Sequence, residues 1–312
     1  MIRFFIILIF LFSPNLFSKE SKFNKQLQKD LKKLSKFDGF VDEKLQRYDE
    51  NIIIDKKNTI VIVYNHGSRG EAEKDSCYKG TMNVAPYIKN LHNKKINNFT
   101  LRVYRSCSGV RGMTDMDIDR SWKLYKNENN SNGLVELIDY DDVKFIEKYK
   151  QLNKQNVILN KVNELSKSGF KNIILAGHSA GGWASLNLIS RYPNLIDGII
   201  AANPAFAGTI SDRKKYVHWA SLRDHEINII SQTNRLNGLV FIHNDDEYEN
   251  LKTLVFLKGF KNLQIINYTD FECKVSVGAS AHIFPVYPKE NNCFAEWEDK
   301  NKFIVKYLES LF

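Results

Sequence analysis

The residues with the clearest chemical potential are Gly177-His178-Ser179-Ala180-Gly181-Gly182, which follow the apolar run Ile173-Ile174-Leu175-Ala176. A strand that runs into Gly-x-Ser-x-Gly and then into a helix puts the serine on a sharp turn. The flanking glycines leave room for that turn. The serine is expected in a strained backbone conformation that lifts its hydroxyl above the sheet. Amides at the start of the following helix then face any negative charge that develops there. The chemistry nominated is acyl transfer through a serine nucleophile.

Such a nucleophile needs a base, an orienting acid and an oxyanion hole. The chain has seven histidines. His178 lies inside the turn and points away from Ser179. His66 sits in a separate His-Gly turn, His92 on a surface helix, His218 and His225 in a polar insert, and His243 at the end of a strand. His282, in Val277-Gly278-Ala279-Ser280-Ala281-His282, follows the last predicted strand and is the candidate base; its plain alternative is a solvated loop histidine. The acid is sought after the strand Leu239 to Ile242, where His243-Asn244-Asp245-Asp246-Glu247-Tyr248 offers three carboxylates. Asp246 is the first choice, then Asp245, then Glu247; the others would be loop charges or helix caps. The oxyanion hole takes one amide from Ala180 and a second from Gly67 or Ser68, in Tyr64-Asn65-His66-Gly67-Ser68-Arg69-Gly70. Gly-x-Ser-x-Gly and His-Gly each occur by chance. Their order, each at the C-terminal end of a predicted strand, makes the set specific.

The elements that must position these residues alternate along the chain. Strands are expected at Thr59 to Tyr64, Leu101 to Tyr104, Asn172 to Ala176, Gly198 to Ala202, Leu239 to His243 and Leu263 to Tyr268. Continuous apolar runs of this kind suit strands covered on both faces. A helix is expected over Asp142 to Ser168, with Ile158, Val162 and Leu165 on one face. A closing amphipathic helix would carry Phe294, Trp297, Ile304, Leu308 and Leu311. This alternation predicts an α/β fold, a mostly parallel sheet with helices on both faces. Two stretches interrupt it: a polar insert over Cys107 to Asp141 with Trp122 and Tyr125, and a helical segment over Ala207 to Asn237 with Trp219. Either is a lid or binding loop, or decoration without ligand contact; the three aromatics line a pocket or pack.

The 312 residues suffice for one large domain with a deep core. Residues 1–18 read as a secretory signal peptide, with Arg3 as the charged region, Phe4 to Phe12 as the apolar region and Leu16-Phe17-Ser18 as the cleavage site. The alternative is an uncleaved anchor, for which the run is short. No other stretch is apolar enough to cross a membrane. Export, to a periplasm or the exterior, turns the four cysteines toward disulfides, with Cys77–Cys107 and Cys273–Cys293 as the favoured pairs. A zinc site lacks Cys-x-x-Cys spacing. Losing Arg3 with residues 1–18 takes the formal charge from +9 to +8. Acids interleave with the bases along most of the chain and no basic stripe carries stacking aromatics, so nucleic acid is not the expected partner. The exception is Lys19 to Lys36, with seven lysines and two acids. Phe23, Leu27, Leu31 and Leu34 there have helical spacing, as in a basic amphipathic helix that packs on the domain or touches an anionic membrane surface.

On His66-Gly67, Gly177-His178-Ser179-Ala180-Gly181, Asp246 and His282, the chain resembles the α/β-hydrolase superfamily from about Thr59 to the C-terminus. Within it, the Asp-Asp-Glu-Tyr-Glu loop and the lack of a large cap make it similar to secreted bacterial hydrolases of the dienelactone-hydrolase-like group. Dienelactone hydrolases use a cysteine where this chain has Ser179, so their substrate does not carry over. The resemblance implies a hydrolase domain over 51–312, preceded by a helix and linker over 19–50, with no metal or organic cofactor. The implied function is a serine esterase acting on a small ester or acyl substrate. A peptidase, amidase or acyltransferase would use the same residues. A binding module of the cell envelope without turnover is the reading from another class, against which the full serine, acid and histidine set argues. Nucleotide binding has no glycine-rich phosphate loop to support it.

Overall fold

The computed structural model describes Lys29, Lys32 and residues 38–41, 55–68, 83–108, 150–215, 217–271, 280–287 and 293–312. The expected signal peptide, most of the basic helix, Trp122, Tyr125, Cys77 and Cys273 lie outside the described residues, as does the side chain of His218.

Eight strands among the described residues form one sheet: β1 (Gly39–Phe40), β2 (Thr59–Asn65), β3 (Lys95–Ile96), β4 (Phe99–Ser106), β5 (Asn172–His178), β6 (Gly198–Ala202), β7 (Gly238–Ile242) and β8 (Leu263–Asn267). The order β4-β2-β5-β6-β7-β8 is parallel throughout, and β1 and β3 pair antiparallel with β4. All six predicted strands are present; β2, β4 and β5 run past their expected ends, and β7 and β8 each stop a residue earlier, before His243 and Tyr268. The helices are α1 (Pro86–Lys89), α2 (Lys150–Lys167), α3 (Ala180–Arg191), α4 (Ile210–Lys215), α5 (Val217–Ser231), α6 (Cys293–Asn301) and α7 (Phe303–Leu311).

The continuous apolar strands sort by alternation. Val61, Val63, Ile173 and Leu175 face a core covered by α2, α3 and α5. Ile60, Ile62, Ile174 and Phe241 face the opposite core, covered by α1, α6 and α7. Two-sided burial is why no polar residue interrupts these runs. Trp219 packs into the first core, against Gly208, whose φ of 70° and nearby ring exclude a side chain. The single closing helix expected from sequence is instead two. Lys302 adopts a left-handed φ of 56° between α6 and α7, and the break turns both apolar faces onto the sheet. His92 is also not a solvated helix residue: it follows α1, and its Nδ1 accepts the Val103 amide at 3.1 Å. Neither of the described cysteines, Cys107 and Cys293, is free.

From β2 the chain moves outward to β4, then returns to place β5 on the other side of β2. The carboxyl ends of β2 and β5, paired to Asn65 and Gly177, therefore flank a topological switch point, where such sheets leave an open crevice.

Candidate active site

Ser179 stands at that switch point, between β5 and α3, with φ 54° and ψ −125°. This is strained backbone for a non-glycine residue. The turn holds because it is overdetermined. The Ser179 amide donates to Ala202, and its carbonyl accepts from Trp183 and Ala205. Two glycines make the turn sterically possible. A Cβ at Gly177 would come within 2.5 Å of the Gly181 backbone, and one at Gly181 within 2.1 Å of the Asn65 carbonyl. The helix can start this close to the end of β2 only without those side chains.

Three sequence candidates meet here. His282 lies in a 3-10 turn, Ala281–Val286; its Nε2 is 2.9 Å from Ser179 Oγ, and its Nδ1 is 2.7 Å from Asp246 Oδ2. A carboxylate accepts the Nδ1 proton, which leaves the Nε2 lone pair facing the serine hydroxyl. Of the three acids after β7, only Asp246 turns inward. It is 1 % exposed, and its other oxygen accepts the Tyr248 amide at 2.8 Å. Asp245 and Glu247 are exposed; the Asp245 amide donates to His243 Nδ1 at 3.1 Å. The Tyr248 ring covers His282, with centroids 4.3 Å apart.

Gly67 is buried beside the serine. A Cβ there would lie 3.3 Å from Ser179 Cβ, so the β2 loop passes against the nucleophile. Ser68 is exposed at the edge of the same loop. Ala180 supplies the first amide of α3, which has no acceptor inside its own helix. Helix α2 supports both segments: Gln151 Nε2 donates to the Ala180 carbonyl at 2.9 Å. The buried Lys154 ammonium donates to Ser108 Oγ at 2.8 Å and reaches the Gly67 carbonyl at 3.5 Å. Sequence reading missed Gln151, Lys154 and Tyr248. The two α2 residues interrupt an otherwise helical apolar face, and buried polar positions on it are the signal that was available.

Among the described residues no group of histidine, cysteine or acidic side chains could hold a metal ion, and no helix is long and apolar enough to cross a membrane. The parallel sheet, the serine on its strand–turn–helix and the acid and histidine on the loops that follow define the α/β-hydrolase fold. No protein-family model and no curated protein matches the sequence. Solved structures resemble it at low identity. Est1E from Butyrivibrio proteoclasticus, with ferulic acid bound, is 14% identical over 86% of this chain and 98% of its own, with a TM-score of 0.48. A monoacylglycerol lipase of Paleococcus ferrophilus is 15% identical over 82% and 97%, with a TM-score of 0.45. A predicted CIB-like hydrolase of Thermoplasma acidophilum is 15% identical over 88% and 98%, with a TM-score of 0.43.

Proposed function

We propose that the protein is a serine hydrolase that cleaves carboxylic esters through an acyl-enzyme on Ser179. One observation carries this reading: the continuous hydrogen-bonded chain from Ser179 Oγ through His282 to Asp246. His282 takes the serine proton as Oγ attacks the substrate carbonyl. The buried Asp246 carboxylate stabilises the imidazolium that forms and keeps the ring oriented. The new oxyanion is held by the Ala180 amide and by one from Gly67 or Ser68. His282 then gives its proton to the leaving alcohol, and water repeats the cycle against the acyl-enzyme. Every group in the cycle belongs to the chain itself, and no cofactor is invoked.

We extend the proposal to location. Arg3 and the apolar run Phe4 to Phe12 support export by residues 1–18, and an oxidising destination fits pairing of Cys107 with Cys77 and of Cys293 with Cys273. The likeness to the dienelactone-hydrolase-like group rests on the 245–249 loop and adds no substrate.

Labelling the purified protein with a fluorophosphonate tests the central claim. A single adduct on Ser179, lost in His282→Ala, supports an activated serine, and a series of p-nitrophenyl esters of rising acyl length then defines the substrate. Labelling without ester turnover would redirect the assignment to amide or acyl-transfer substrates. No adduct on a folded sample would leave a binding module as the better reading.

A further inference from the structure

The three residues of the hydrogen-bonded chain are not held alike. Ser179 and Asp246 each follow a buried parallel strand. His282 sits on a short 3-10 turn with no side-chain cap, yet its ring must keep contact with both partners. We propose that His178 and Asn203 are positioning residues that hold the main-chain carbonyl of His282, and through it keep Nε2 on the serine hydroxyl. This rests on the serine-hydrolase reading above.

Both donors converge on one oxygen. His178 Nε2 is 2.6 Å from the His282 carbonyl, and Asn203 Nδ2 donates to it at 3.0 Å. The same Asn203 nitrogen is 3.0 Å from the Ala281 carbonyl, so one of its two N–H groups is shared between the two carbonyls, and the other donates to the Tyr268 hydroxyl at 2.6 Å. The turn that carries the base is therefore fastened to the ends of β5 and β6 and to the residue after β8. His178 is 3 % exposed and Asn203 1 %, so neither bond competes with solvent.

The backbone at Asn203 is matched to the task. It has φ 44°, a left-handed conformation that asparagine tolerates better than most residues, and its own amide is tied to the Phe241 carbonyl of β7. The conformation turns the side chain across the top of the sheet toward the 281–282 peptide.

Both donors are also uncharged. The His178 ring lies 4.8 Å from the His282 ring, where a second positive charge would oppose formation of the His282 imidazolium. Burial, and then the neighbouring His282 ring, push the His178 imidazole down to about 3. It thus stays a neutral Nε2–H donor wherever the enzyme works. His178 and Ser179 are adjacent residues, so the strand end that presents the nucleophile also anchors the base.

The test uses His178→Leu, His178→Gln and Asn203→Asp in the full chain. The glutamine can still donate to a carbonyl; the aspartate keeps the shape and the tolerance of positive φ but loses the donor. The wild type must first label on Ser179 and turn over a p-nitrophenyl ester; a folded wild type that does not label overturns the serine-hydrolase reading and this proposal with it, and one that labels without ester turnover is followed by its labelling rate in place of kcat. Given turnover, His178→Leu and Asn203→Asp are each expected to lower kcat by about tenfold to a hundredfold, with KM changed by less than about twofold. The fluorophosphonate labelling rate is expected to fall in parallel, and His178→Gln to recover most of the loss. The two losses are expected to be less than additive, because they act on one oxygen. Wild-type kcat in a folded Asn203→Asp overturns the proposal, even where His178→Leu does not fold. So does a lowered melting temperature with kcat unchanged, or a glutamine variant as impaired as the leucine.

Discussion

Asp246 and Glu226 are both buried carboxyls, one above the sheet and one in the helix layer beside it, and they have been given opposite surroundings. Asp246 meets an imidazole N–H and a backbone amide. Glu226, on α5, meets neutral donors: Trp183 Nε1 at 3.0 Å, Asn187 Nδ2 at 2.8 Å and Gln155 Nε2 at 3.2 Å. Among the described residues no cation pairs with it, and burial pushes its carboxyl up to about 8. The Arg223 guanidinium on the same helix lies over the Trp183 ring and is committed to Glu249, another buried acid, at 2.7 and 2.8 Å. Among the described residues the amide oxygens of Gln155 and Asn187 have no hydrogen-bond partner. Turning either amide over would supply the acceptor that a protonated Glu226 needs. Burial alone therefore does not mark a functional acid. The partner that can take up or surrender a proton does.

The largest expected effect tests the Asp246 side of that contrast. Asp246→Asn keeps the shape but can present its amide N–H to His282, favouring the wrong tautomer. A fall in kcat of about ten-thousandfold is expected from the general behaviour of such triads, with the melting temperature little changed. Asp245→Asn, on an exposed side chain, is expected to stay within about twofold. Steady-state kinetics on the two variants decide the matter. The reverse result would move the acid by one residue.

The Glu226 side is tested through stability. A carboxyl near 8 in the folded chain and about 4.3 in the unfolded one binds more protons when folded. Its contribution is thus fully present below about pH 4.3 and is lost as pH rises through about 8, on the order of a few kcal/mol. Urea unfolding across that window is expected to show the wild type weakening with pH and Glu226→Gln weakening less, while ester turnover is unchanged. An equal slope in both would mean that Glu226 ionises freely in the fold.

How much of this was readable beforehand follows from the range of the interactions. Strands such as Gly198–Ala202 were legible because two-sided burial imposes an unbroken apolar run. Ser179 was legible because a strained turn demands glycine at fixed spacing. His282 could be placed by chain order, and Asp246 singled out from its neighbours, but nothing local says which acid turns inward. That depends on how the 243–248 turn packs under Tyr248. The break at Lys302 was hidden because the apolar spacing continues across it and only the backbone reverses. His178 and Asn203 act through main-chain carbonyls distant in sequence, and such bonds leave no pattern in the chain; Gln151 and Lys154 showed only as polar positions on the buried face of α2.

The smallest expected effect carries the comparison over to buried cations on a single helix. Lys154 and Lys161 both lie on α2 and both are buried. Lys161 is set between Asp38 at 3.5 Å and Glu164 at 2.6 Å, away from Ser179. Lys154 reaches the carbonyl of Gly67, in the loop that lies against Ser179 Cβ. At 3.5 Å the ammonium would add to the closer His66 Nδ1 contact, 2.8 Å from the same oxygen, in holding the loop where an oxyanion would need it. Lys154→Met keeps the aliphatic stem and is expected to lower kcat by roughly threefold to tenfold without raising KM. Lys161→Met is expected to lower the melting temperature and leave kcat alone, because it takes away the ammonium beside the buried Asp38 carboxylate. Equal kinetic losses from both would mean that α2 acts only as packing, and that buried charge near the nucleophile has no privileged role.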